Sequence, residues 1–304
     1  GLIASKVLLE GPLKKKEGSY LVSGRFGYPG VVAGLLGSNL TSKPQMWFYD
    51  VNAKVNRTLD ARNRMFFSLY SGGDHTVFNK LVKGYGMDWG NATATIRWNH
   101  ILNDKTNVNT SAVFSNYYYK YKSLSDGLRY VWKSNMQSYQ LKSDWERYQN
   151  NLLTLKGGVN LHYFTTMPGE VGKSGKDSNI TPSQMPRKSL WDAALYAEAN
   201  YKFLPHFLLN AGGRLSVLHA PASAYYAAKT FVMPEPRAEL SFIPNASHRF
   251  SASYTQAAQS IHMLTTSSVG IPSDMWMPAN ALLKPSVMRQ LALGYEYNFP
   301  DKEY

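Results

Sequence analysis

The chain has 304 residues, 44% hydrophobic and 13% aromatic, with 21 tyrosines against 13 phenylalanines. That much apolar material excludes a disordered chain, and the absence of cysteine excludes disulfides, thiolate metal sites and thiol chemistry. The net charge of +13 is spread along the chain, with one short run at Lys14, Lys15 and Lys16. A scattered excess does not make the basic stripe of a nucleic-acid binder. It leaves the charge to meet lipopolysaccharide phosphates or anionic ligands. The longest apolar run, 30–37, is far short of the roughly 18 residues a membrane helix needs. A helical membrane protein is excluded, but a β-barrel, whose strands alternate, is not.

Thirteen strands are predicted in chain order, at 2–9, 19–28, 46–56, 64–71, 88–99, 107–120, 136–146, 152–163, 189–201, 207–218, 233–242, 248–256 and 287–299. Period-2 alternation carries most of them. In 46–56, Tyr49, Val51, Ala53 and Val55 oppose Asp50, Asn52, Lys54 and Asn56. In 189–201, Trp191, Ala193, Leu195, Ala197 and Ala199 oppose Asp192, Tyr196, Glu198 and Asn200. In 207–218, Leu209, Ala211, Leu215 and Val217 oppose Asn210, Arg214 and Ser216. In 287–299, Leu291, Leu293, Tyr295 and Tyr297 oppose Gln290, Ala292, Glu296 and Asn298. Strands of about 9–12 residues suit a tilted bilayer crossing, and Trp98, Tyr163, Trp191, Tyr201 and Phe299 near strand ends suit its interfacial girdles. A soluble sandwich explains the alternation but not the length and aromatic ends together.

The connections alternate in length. Short turns are predicted at 57–63, 100–106, 147–151, 202–206 and 243–247. Long loops fall between them at 29–45, 72–87, 121–135, 164–188, 219–231 and 257–286. Short periplasmic turns and long extracellular loops are the pattern of an outer-membrane barrel. An Arg or Lys turned to lipid at mid-bilayer costs about 2–4 kcal/mol, so the charged faces point inward and the lumen is polar. Thirteen is odd, whereas bacterial single-chain barrels have even strand numbers, so the sequence is expected to be a partial barrel across 1–304.

No nucleophile elbow, zinc-protease motif, phosphate loop or dinucleotide fingerprint is present. No catalytic residue or cofactor is assigned. The seven histidines are widely spaced, so no metal site is assigned. Asp74 and His75 adjoin, but neighbours on a strand face opposite ways, which argues against a general-base pair. The candidate ligand-binding residues are exposed aromatics on outer loops: Tyr225 and Tyr226 in one, His262 and Trp276 (flanked by Met275 and Met277) in another.

Several stretches resemble the TonB-dependent outer-membrane receptors, especially those of Bacteroidetes. They are Leu9 to Leu13 with Ser19 to Arg25; Asp88, Trp89, Gly90 and Asn91 with Arg97, Trp98, Asn99 and His100; and Ala252, Ser253 and Tyr254 with Gln259 to His262. The last is followed by Pro272 to Pro278, Lys284, Pro285, Gly294 and Tyr295. The resemblance implies an all-β, transmembrane, antiparallel up-and-down barrel of about 22 strands around a plug. The plug is not in this sequence, and the short turn at 57–63 makes 2–9 a downward strand, so the thirteen would be the second to fourteenth. The implied function is import of a scarce nutrient, such as an iron–siderophore, cobalamin, saccharide or peptide, driven by the TonB complex through the plug. A surface lipoprotein partner is compatible with that type. A passive porin is the main rival, and an outer-membrane barrel enzyme a lesser one.

Overall fold

Alternating residues make alternating faces only where the backbone pairs in register, and the register here sorts the side chains as the sequence requires. The computed structural model describes residues 1–14, 17–36, 45–79, 84–125, 128–175, 178–264 and 275–299. Lys15, Lys16 and the stretch Pro272 to Asp274 lie outside them.

The elements are β1 (Ala4–Lys14), β2 (Gly18–Gly27), α1 (Pro29–Leu36), β3 (Gln45–Thr58), β4 (Asn63–Asn79), β5 (Gly84–Asn103), β6 (Thr106–Ser125), β7 (Leu128–Asn150), β8 (Leu153–Lys173), β9 (Ser183–Gln184), β10 (Lys188–Leu204), β11 (Phe207–Ala220), β12 (Lys229–Asn245), β13 (His248–Gln259), β14 (Ile261–Leu264), β15 (Met275–Pro278) and β16 (Ser286–Tyr297). Thirteen of the strands form one antiparallel wall in chain order, with each strand beside its sequence neighbour apart from the short β9, β14 and β15. These are the thirteen predicted strands. Strand β9 adds to β8, and β14 pairs with β15 as a separate hairpin. Within the described residues, β1 is paired only with β2 and β16 only with β13, so the wall has two open edges.

One face of the wall is apolar. Leu195 sits between Val159 and Leu215, and Ala193 between Leu161 and Val217. Within the paired wall Leu195 is 62% exposed and Leu161 51%, values tolerable only against lipid. Aromatic rows bound this band. Near the long-loop end run Phe114, Tyr139, Tyr163 and Trp191, with successive ring centroids 5.1, 6.2 and 4.5 Å apart. At the opposite end run Phe203, Phe207, Phe242, Phe250 and Tyr295, with spacings of 5.8, 4.8, 6.3 and 5.0 Å. On β10, Trp191 and Tyr201 mark the two rows. Their separation is roughly 33 Å of strand, which a tilt of about 40° reduces to a band of roughly 25 Å.

The other face is charged and largely self-compensated. Arg214 lies 3.6 Å from both Asp192 and Glu235, Arg237 3.1 Å from Glu198, and Arg249 2.9 Å from Glu239. Arg25 meets Asp50 at 2.6 Å. Exposed pairs of this kind contribute only about 0–1 kcal/mol each, so their role is to make a polar lumen tolerable rather than to hold the fold. Gly158 permits close packing on this face. A Cβ there would stand 2.8 Å from the ring of Tyr196, whose hydroxyl donates to Asp144. In the turn between β3 and β4, the Arg62 N–H donates to the carboxylate of Asp60 and holds its pKa below the usual range.

Three expectations change. Much of 72–87 and 121–135, predicted as loop, is strand: β4 runs to Asn79, β5 resumes at Gly84, β6 runs to Ser125 and β7 resumes at Leu128. Beyond the lipid band neither face must be apolar, so alternation vanishes while backbone pairing continues. The 29–45 segment begins as helix α1 rather than as loop. Asp74 and His75 lie within β4, and His75 bonds Asp88 across the pair with β5.

Leu195→Arg places a charge at the middle of the lipid band and should cost about 2–4 kcal/mol, while Asn210→Arg, near Glu239 on the lumen side, should be tolerated. Assembly of the two variants, read by heat-modifiable migration of outer-membrane fractions, should differ sharply; equal assembly contradicts this register. Gly158→Val, whose Cβ would meet both the Ser143 carbonyl and the Tyr196 ring, should cost at least about 1–3 kcal/mol, measured by denaturant unfolding in detergent.

Candidate functional site

At the long-loop end of the wall, apolar side chains collect on the lumen side, where the sequence pattern elsewhere is polar. Phe164, Leu190, Leu218 and Ala220 are buried together, with Met136, Phe231, Met233 and Ile261 packed against them. Something must cover this patch, and the β14–β15 hairpin does so. It pairs Ile261 with Pro278, His262 with Met277, Met263 with Trp276 and Leu264 with Met275, and β15 packs on β8 and β10. The following turn is fixed by Asn280, which is buried, accepts from the N–H groups of Leu282 and Leu283 at 2.9 and 3.1 Å, and donates to the Pro278 carbonyl at 3.1 Å. This local side-chain capping is what asparagine provides in tight turns.

Beside this hairpin lies a cavity of about 550 Å³. Three connections build it. Gln184 to Pro186 come from the β8–β10 connection, Tyr225 and Tyr226 from the β11–β12 connection, and Leu264, Met277, Asn280, Leu282 and Leu283 from the β13–β16 segment, with Pro168 from β8 itself. Lys188, the first residue of β10, completes it. Its position, an even number of residues before Asp192 and Tyr196, places it on the lumen face.

Lys188 is only 8% exposed. Its Nζ lies 4.7 Å from the ring centre of Tyr226 and 5.3 Å from that of Tyr225. Among the described residues no carboxylate and no hydrogen-bond acceptor meets it. Most of the side chain is buried, and the ammonium gives up part of its hydration against the two rings. Two cation–π contacts return about 0.5–2 kcal/mol each. The cavity therefore carries an under-compensated positive charge in a mostly apolar lining.

Tyr225 and Tyr226, predicted as ligand residues, both line the cavity. Trp276 and His262 sit on the covering hairpin and do not line it; Met277 does. The His262 Nε2 is buried with no hydrogen-bond partner. Lys188 was not singled out by sequence, being one residue outside the predicted strand 189–201. The strand's own parity was the signal that could have found it. Among the described residues no three His, Asp or Glu side chains converge as a metal site. Two other hollows are less suited to a solute. One of about 520 Å³, lined by Phe67, Ile96, Leu141 and Trp191, lies on the lipid face, where acyl chains would fill it. The other, about 340 Å³, lies beside Lys54, Phe66 and the exposed Arg97 on the lumen wall.

Comparison with known proteins fits the wall and its loops. The family model "TonB dependent receptor-like, beta-barrel" matches residues 34–303. No curated protein sequence matches the chain. Among solved structures, the ferric yersiniabactin uptake receptor FyuA from Yersinia pestis superposes with a TM-score of 0.73 at 11% identity, over 98% of this chain and 50% of that one. BauA, the ferric preacinetobactin receptor from Acinetobacter baumannii, gives 0.70 at 12% identity, over 97% and 50%. The copper transporter OprC gives 0.69 at 12% identity, over 98% and 51%. At these identities the likeness is one of fold, and the chain spans about half the length of the structures it matches.

If the charge of Lys188 is a standing cost, Lys188→Met should strengthen the loop assembly. Limited proteolysis of folded protein should cut the 174–187 and 221–228 segments more slowly in the variant than in the parent; faster cutting would show that the lysine holds the loops together.

Proposed function

Because the chain belongs to the TonB-dependent receptor β-barrel family, we propose that it supplies the wall and ligand-capturing loops of an active importer. Barrels of this family are outer-membrane proteins, and the family and its solved neighbours are receptors and transporters, not enzymes. The imported nutrient is a scarce one of the iron–siderophore, cobalamin, saccharide or peptide kind. The observation that carries the reading is the open cavity lined by three outer connections that gather on the lumen side of the wall. A passive pore gains nothing from a largely apolar hollow with a buried lysine in its lining; a receptor gains a place to hold its ligand.

Two further features support completion by parts outside the described wall. Both edges of the sheet offer unpaired backbone groups, which lipid does not tolerate. The solved relatives are about twice as long. We assign those parts to further strands and to a plug domain, through which the TonB complex would act. Outer-leaflet lipopolysaccharide surrounds the wall, and a surface lipoprotein fits as an accessory partner.

The test compares nutrient depletion from spent medium by three strains: parent, one lacking the receptor, and one lacking TonB. At least one solute should be removed by the parent and left by both mutants. A solute that needs the receptor but not TonB would instead identify a passive porin.

A further inference from the structure

We infer that this cavity selects an organic anion, with Lys188 as the residue that reads its negative charge. The inference rests on the reading of this cavity as the ligand site and adds the chemical class of the ligand. Lys188 is more than nine-tenths buried, opens on the cavity, and has no anionic partner among the described residues. Elsewhere on the lumen face, the half-buried Arg214 meets two carboxylates, Asp192 and Glu235. Lys188 is the only buried Lys or Arg among the described residues, and a buried cation without a carboxylate points to a counter-charge that arrives from outside.

The rest of the lining defines the body of that anion. Tyr225 and Tyr226 flank the ammonium with ring faces, and Met277, Leu283 and Met185 give apolar walls. Tyrosine hydroxyls and the Gln184 amide can donate to a carboxylate, phosphate or sulfonate. A neutral sugar would leave the ammonium uncompensated and present hydroxyls to methionine and leucine. A cation would be repelled outright. The fitting ligand is therefore an amphipathic anion, with an acidic group against Lys188 and an aromatic or aliphatic part against the loops. Its binding needs no change in covalent structure.

The experiment uses the full-length receptor in detergent, titrated calorimetrically with benzoate, phenylphosphonate and neutral benzamide against empty micelles. Benzoate or phenylphosphonate should bind at least about tenfold more tightly than benzamide, as a charge-assisted contact implies. Lys188→Gln should erase that preference, and Lys188→Arg should keep most of it. Variant folding is checked by heat-modifiable migration, and Lys54→Gln, on the separate lumen hollow, serves as the control that keeps the preference. Equal binding of benzamide and the acids, a preference that survives Lys188→Gln, or no binding of any probe overturns the inference. The transport reading stands or falls separately on the TonB dependence of uptake, so either claim can fail alone.

Discussion

In hydrocarbon there is no water to satisfy a backbone amide, so every N–H and C=O that crosses the membrane must find its partner in the sheet. The rest of this structure follows from that constraint. It explains the antiparallel order with each wall strand beside its sequence neighbour, since tight turns join such strands with no crossover. It explains the period of 2, because a fully paired strand offers one face to lipid and the other to the lumen. It also makes a slip of register intolerable: Asp192 and Glu198 would turn to lipid in place of Leu195 and its row, and the apolar band would break. Side-chain ion pairs are secondary here. They settle the lumen face after the ladder has fixed which residues belong to it.

The same constraint explains what was readable in advance. Within the lipid band, alternation is enforced by the solvent on one side, and strands such as 189–201 and 207–218 appear in the sequence almost as they appear in space. Above the band that enforcement ends. Tyr121 to Ser125 fall in the predicted loop 121–135, yet β6 continues through them, because pairing with β7 needs only backbone groups. The helix at Pro29 is similar, with no long amphipathic pattern to announce it.

The candidate site was legible in part. Tyr225 and Tyr226 stood out as aromatics in a polar connection and do line the cavity, whereas His262 and Trp276 stood out for the same reason and sit on the hairpin beside it. A sequence shows that an aromatic lies in a loop, but not which way the loop folds. The apolar patch of Phe164, Leu190 and Leu218 decides that direction. These residues look like ordinary strand residues, and their inward parity is the only hint that the lumen has an apolar zone. Lys188 was hidden among 33 basic residues, since its distinction is burial rather than type.

The strands that outrun the membrane have a consequence for how solutes are sorted. Strand β7 has 23 residues, roughly 75 Å of extended chain, of which the lipid band accounts for less than half. Lys188 lies three residues before the girdle residue Trp191, so the cavity stands near the level of the lipid headgroups. On the side of β5 to β8 the wall therefore rises above the cavity like a chimney. A solute meets that collar before it meets the lysine. On the proposed reading of Lys188, a solute would pass the rim of the wall first and have its charge read only below it.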